Sequence, residues 1–130
     1  MITGILVDSN FYINHLRAKR NPFIILAAAA DQWEFFTCGI IMLEVLRGVR
    51  DPHQHAKFET AFTLMNYIPS THSIWTRARH LAWTLNRCGR TLPAQDHLIA
   101  ASALHTHLPI LTADRHFQYY PDLLVLEHLD

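Results

Sequence analysis

The chain has 130 residues and a mass of 15.0 kDa, about the size of one ordinary domain. Half of it is hydrophobic and only 17% is charged, and 11 basic residues balance 11 acidic ones. That composition argues against a disordered tail, an acidic mimic or a strongly basic chromatin-type binder, and neutrality by itself counts against a nucleic-acid partner.

Ile2–Val7 is a short β-branched apolar run ending at Asp8, and it predicts a buried strand. Ser9 or Asn10 is expected to cap a helix starting near Phe11. Asn21-Pro22 is a helix-start pair, and the alanine-rich segment 23–31 continues it. Glu34–Cys38 predicts a second strand. Residues 40–49 carry apolar side chains at helical spacing and stop before Asp51-Pro52. Ala56–Met65 predicts another helix, and Tyr67–Pro69 a minor strand or a turn. Ser70–Arg87 is a long amphipathic helix that Gly89 ends. Pro93 precedes a helix over Gln95–His107, Pro109–Thr112 predicts a strand followed by Asp114, and Leu123–Glu127 predicts the last strand. Strands alternating with helices imply an α/β fold with a parallel sheet covered on both faces, its sites beyond the carboxyl ends of the strands.

Cys38 and Cys88 form no CxxC pair, so neither a thiolate zinc site nor a disulfide framework is indicated. The start of the chain lacks the basic segment and cleavage site of a signal peptide. The longest uncharged apolar run, Phe23–Ala30, is short of the roughly 20 residues that span a bilayer. A soluble cytoplasmic protein, a single domain over residues 1–130, is expected.

Four acids stand out by position. Asp8 closes the first strand, Glu44 lies within an apolar helix, Asp96 starts another helix, and Asp114 follows a late strand. Taken singly, an acid after a strand is a turn former, Asp96 is a first-turn acid favoured by the helix dipole, and Glu44 can pair with Arg47 one turn on. Taken together, two acids at strand ends and two on helices can converge on one cleft. A buried carboxylate is costly unless paired or bound to a metal. Clustered hard oxygen donors select Mg²⁺ or Mn²⁺, and such a centre activates water for phosphodiester cleavage.

Val7-Asp8-Ser9-Asn10, Met42-Leu43-Glu44-Val45-Leu46-Arg47-Gly48, Asp96-His97-Leu98-Ile99-Ala100-Ala101-Ser102-Ala103 and Leu111-Thr112-Ala113-Asp114-Arg115-His116-Phe117 occur in that order. Together they resemble the PIN-domain nucleases, and closely the VapC-like ribonuclease toxins of toxin–antitoxin modules. The resemblance implies a three-layer α/β/α sandwich around a parallel sheet and a Mg²⁺- or Mn²⁺-dependent endoribonuclease. It implies that Asp8, Glu44, Asp96 and Asp114 are catalytic and metal-binding. Asp8, Asp96 and Asp114 hold the ion directly, and Glu44 binds a second ion or orients a water. Ser9 and Thr112 match small hydroxyl positions that orient a carboxylate or a bound water, and Asn10 matches a position beside the first acid. It further implies a cognate antitoxin partner and a homodimer. A nuclease of RNA processing or DNA repair, or a non-catalytic PIN-like binding module, are the alternatives; loss of an acid would favour the last, and all four are present. A phosphorylation-receiver domain is a rival by size and alternation, but neither lysine follows a late strand and the first strand carries one Asp, not an acidic pair.

Arg17, Arg47 and Arg115 are the candidates for RNA phosphate contact, because their segments approach the acids; the planar guanidinium suits phosphate. Ten histidines open a metal-free mechanism with His97 and His116 as acid and base. His53/His55 and His105/His107 are read as exposed polar residues, and Trp75 and Trp83 as packing, in the core or at a subunit interface. With the four acids assigned to a metal centre, 11 basic residues face seven remaining acids. A metal-loaded cleft is then positive, and RNA binding is expected to depend on the ion.

Overall fold

The computed structural model describes residues 2–130. In chain order the elements are β1 (Thr3–Val7), α1 (Ser9–Arg17), α2 (Pro22–Ala28), β2 (Trp33–Cys38), α3 (Gly39–Leu46), α4 (Pro52–Thr63), β3 (Asn66–Ile68), α5 (His72–Arg87), α6 (Ala94–His105), β4 (Ile110–Leu111), a 3₁₀ turn (Arg115–Tyr119) and β5 (Val125–Leu126). All the strands pair in parallel, in the order β3–β2–β1–β4–β5. This is the expected α/β sandwich around a parallel sheet.

β1 lies at the centre of the sheet. Ile5, Leu6 and Val7 are wholly buried, as a parallel strand covered on both faces requires. The chain steps outward from β1 through β2 to β3, then crosses back to lay β4 against the other edge of β1. With the right-handed crossovers that parallel sheets favour, this order puts α1–α4 on one face and α5 and α6 on the other. The first face is sealed by an aromatic cluster: Tyr12, Phe23 and Phe62 meet with ring centroids 5.1–5.4 Å apart, and Phe58 joins through Phe23. On the other face, α6 is buried continuously from Asp96 to Ala103, the property of a helix apolar nearly all round. Gly4 allows a close approach in β1, since a Cβ there would stand 2.7 Å from Leu108 Cδ2.

Helix starts follow cap chemistry. Asn21 accepts a hydrogen bond from Phe23 N at 3.0 Å with Pro22 at the first helical position. The same device, Asp51 accepting from His53 N at 3.1 Å ahead of Pro52, starts α4 four residues before the expected Ala56. α1 begins at Ser9, so Asp8 itself holds the cap position, without a side-chain cap bond, rather than Ser9 or Asn10. Gly89 ends α5 at φ +82°, the left-handed residue beyond a C-cap. The short helix end after α6 uses His107 at φ +56° in the same way. The 3₁₀ turn after Asp114 lies where periodicity predicts nothing, because five residues are too few to show one.

Trp75 and Trp83 do not enter the core: they are exposed on α5. The buried face of that helix is Ile74, Ala78 and Leu85, and Trp83, nine residues after Ile74, falls on the opposite side at 3.6 residues per turn. Among the described residues no helix is long and apolar enough to cross a membrane.

Candidate metal centre

The point where the strand order reverses, between β1 and β4, is where an open parallel sheet leaves a crevice at its carboxyl end. Asp8 follows β1 directly, and Thr112 and Asp114 follow β4. Pairing of Val7 with Leu111 sets these two strand ends side by side. Glu44 reaches the crevice from α3 and Asp96 from the first turn of α6. The four acids line one cleft of about 240 Å³, together with Ser9, Asn10, Arg17 and His116.

Hydroxyls and an amide hold the acids in place. Thr112 Oγ1 donates to Asp8 Oδ2 at 2.8 Å and accepts from Asp114 N at 3.0 Å, joining the acids of two adjacent strand ends. Ser9 Oγ lies 3.3 Å from Glu44 Oε1 and 3.4 Å from Asp8 Oδ1. Its single proton can serve one of them at a time. Asn10 does not cap α1. Its Oδ1 accepts from Ala113 N at 3.3 Å and from Asn14 Nδ2 at 3.2 Å, tying α1 to the loop after β4.

Asp8 and Asp96 are 2% and 7% exposed. Burial pushes the Asp8 carboxyl up to about 6; the Thr112 hydroxyl and the Ser9 and Asn10 amides oppose it, and Asp96 adds repulsion. Burial also raises Asp96 to about 6, against the His116 hydrogen bond and with repulsion from Asp114 and Glu44. Glu44 is raised by burial, with Asp114 adding to the rise and Ser9 and Arg47 opposing it. Among the described residues no lysine or arginine lies within 4.0 Å of a site carboxylate; His116 alone makes that contact. Hard oxygen donors gathered with so little compensating charge fit a divalent cation.

The donors are not equally close. Asp96, Asp114 and His116 each offer a ligand atom within 4.8 Å of the others; Asp8 and Glu44 line the same cleft outside that group. His116, read from sequence only as an acid–base candidate, was missed as a possible ligand. The signal was its place two residues after Asp114 in Asp-Arg-His-Phe. His97 is absent from the cleft: it is buried, and its Nδ1 meets Tyr120 Oη at 2.9 Å. A metal-free pair of His97 and His116 is therefore not assembled. Of the three arginines expected near phosphate, Arg17 lines the cleft, while Arg47 and Arg115 are exposed and outside its lining. A larger groove of about 830 Å³ runs beside α5 and α6, with Leu81, Leu104 and Leu108 in its wall, but Asp122 is its one acid.

In solved structures the fold matches one chain of the Rickettsia felis VapBC2 complex bound to a promoter DNA fragment, with a TM-score of 0.80, 16% identity and 95% and 98% of the two chains covered. It matches a chain of VapBC-1 from nontypeable Haemophilus influenzae with a TM-score of 0.78, 21% identity and 95% and 97% covered. Mycobacterium tuberculosis VapC20, a toxin that cleaves the sarcin–ricin loop, matches with a TM-score of 0.66, 17% identity and 88% and 92% covered. Comparison with curated proteins finds no match. The sequence itself fits the PIN domain over residues 5–123, a span that holds all four acids, and the chain belongs to the PIN domain family.

Proposed function

We propose that residues 1–130 act as a single PIN domain, a Mg²⁺- or Mn²⁺-dependent endoribonuclease and the toxin of a cytoplasmic toxin–antitoxin pair, with a cognate antitoxin as partner and a homodimer as its own assembly. The observation that carries the nuclease reading is the cleft: Asp8, Glu44, Asp96 and Asp114 together, two of them buried, with no lysine or arginine within 4.0 Å. Family membership and the resemblance to toxins from VapBC complexes support the toxin assignment.

A bound divalent ion supplies an activated water and stabilises the charge that builds on the scissile phosphate. The protein's part is positioning. Thr112 fixes Asp8 and Asp114 relative to each other, Ser9 bridges Asp8 and Glu44, and Asn10 anchors the loop that carries Asp114. Arg17 lines the cleft wall, and a guanidinium there suits a phosphate of the RNA backbone. No side-chain nucleophile is required.

The test is cleavage of cellular RNA by the purified chain with Mg²⁺ or Mn²⁺, with EDTA, and with Asp8→Asn and Asp114→Asn, followed by mapping of the new RNA ends. Metal-dependent cuts that both variants lose support the reading. Undiminished cleavage by the variants, or cleavage persisting in excess EDTA, refutes it; cuts in DNA but not RNA would move the protein to the repair alternative. Growth arrest on expression, reversed by the product of a neighbouring reading frame, tests the toxin assignment separately.

A further inference from the structure

His116 has no role in the reading above, yet among the described residues it is the one basic side chain within 4.0 Å of the site carboxylates. Its Nδ1 stands 2.9 Å from Asp96 Oδ2 and 3.4 Å from Asp114 Oδ1. The turn that places it is built: Asp114 Oδ1 also accepts the His116 backbone N–H at 3.0 Å, so the imidazole is folded back over the two carboxylates. Donors about 2.1 Å from a common octahedral ion stand about 3 Å apart when adjacent and about 4 Å apart when opposite. The observed separations fall in that range, and the second oxygen is surplus to a single hydrogen bond from Nδ1.

We propose that His116 is a metal ligand, its Nδ1 joining Asp96 and Asp114 in a mixed nitrogen–oxygen centre that selects a divalent first-row transition ion such as Mn²⁺ over Mg²⁺. This rests on the metal-dependent reading of the cleft and specifies which ion it takes. Mg²⁺ is hard and dehydrates reluctantly, so an imidazole adds little to its binding, whereas transition ions accept nitrogen donors readily. Ligation uses the neutral ring, with its proton on the other nitrogen. The half-exposed side chain (42%) can turn its far edge to water while Nδ1 faces the carboxylates.

The experiment uses the full chain, stripped with EDTA and loaded with substoichiometric Mn²⁺. Pulsed electron paramagnetic resonance reads directly bound ¹⁴N, and calorimetry reads the Mn²⁺ and Mg²⁺ affinities. His116→Ala removes the ring. His116→Asn keeps an N–H donor close to the Nδ1 position, so it preserves a positioning hydrogen bond to Asp96 without the nitrogen ligand. The wild-type protein is expected to show a bound ¹⁴N signal that both variants lose. Mn²⁺ affinity is expected to fall at least about tenfold in both, the size of effect known even for outer-sphere partners of a metal, with Mg²⁺ affinity changed less than about twofold. Mn²⁺ bound to wild-type protein without a nitrogen signal, or full Mn²⁺ affinity in His116→Asn, overturns the proposal while leaving a metal centre of carboxylates standing. Wild-type protein that binds neither ion overturns the proposal together with the metal-dependent reading.

Discussion

Asp8→Asn should make the metal-free protein more stable while removing its activity. Burial holds the Asp8 carboxyl at about 6, above its ordinary 3.8. At 1.36 kcal/mol per pKa unit, keeping it ionised at pH 8 costs the fold about 3 kcal/mol relative to a group with no such shift. The sign follows from proton uptake. As pH falls from 8 through 6 towards 4, the folded state binds the proton before the unfolded state does, so the wild-type fold gains stability in that window. Asparagine has the same shape and no charge, and it also removes the repulsion between Asp8 and Asp96. Part of the gain is lost because Thr112 Oγ1 then donates to a neutral acceptor and the new amide hydrogens need partners. A net gain of about 2 kcal/mol at pH 8, shrinking to near zero by pH 4, is expected. Urea unfolding in EDTA at a series of pH values measures it. With a slope of about 1–3 kcal/mol per molar urea, the midpoint at pH 8 should rise by roughly 1 M. A midpoint at pH 8 equal to or below that of the wild type, or a difference that does not change with pH, would refute the argument that an unpaired buried charge is stored at this strand end.

Divalent metal should reverse that penalty. Mg²⁺ or Mn²⁺ at about a hundred times its dissociation constant should add about 2.7 kcal/mol at pH 8, and far less at pH 5, where Asp8 and Asp96 are largely protonated; thermal melts with and without EDTA check this. Thr112→Val removes the donor to Asp8 and the acceptor for Asp114 N–H. It should cost about 1–3 kcal/mol at pH 8 by urea unfolding and depress RNA cleavage with little change in global fold by circular dichroism. Gly4→Ala places a methyl 2.7 Å from Leu108 Cδ2 and 3.0 Å from Phe36 Cε1, which should lower stability by about 1–3 kcal/mol yet leave cleavage per folded molecule intact, because the site lies at the far end of β1.

Asp8 and Glu44 were legible in the sequence because each breaks a local rule, one ending an apolar strand run and the other interrupting an apolar helix, whereas Asp96, an ordinary first-turn acid, showed only through the joint pattern. That Asp8 and Asp114 are neighbours was not legible, since it depends on β4 pairing with β1 through only Leu6–Ile110 and Val7–Leu111, and two residues carry no periodicity. The arginines show the same divide. Arg115 adjoins Asp114 and Arg47 follows Glu44 by three residues, whereas Arg17 is nine residues beyond Asp8, yet only Arg17, at the end of α1, lines the cleft. His97 and His116 each stand within two residues of a site acid, and the geometry of their turns separates them. The ring of His97 meets Tyr120, while the 3₁₀ turn folds His116 back onto Asp96 and Asp114. Trp75 and Trp83 share a helix with the core stripe without sharing its face.

Threading β1 between β2 and β4 has a consequence for how the protein is made. On the ribosome the chain emerges from its amino end at about 5–20 residues per second. β1, α1 and α3 bring out Asp8, Ser9 and Glu44 early, and β2 can cover one edge of β1 as soon as it appears. The other edge waits for Ile110 and Leu111, and Asp96 and Asp114 arrive only with the last third of the chain. Until then a nascent chain carries two of the four site acids and holds no closed centre. The proposed metal centre can close only in one late step, when β4 docks beside β1 and brings Asp114 next to Asp8.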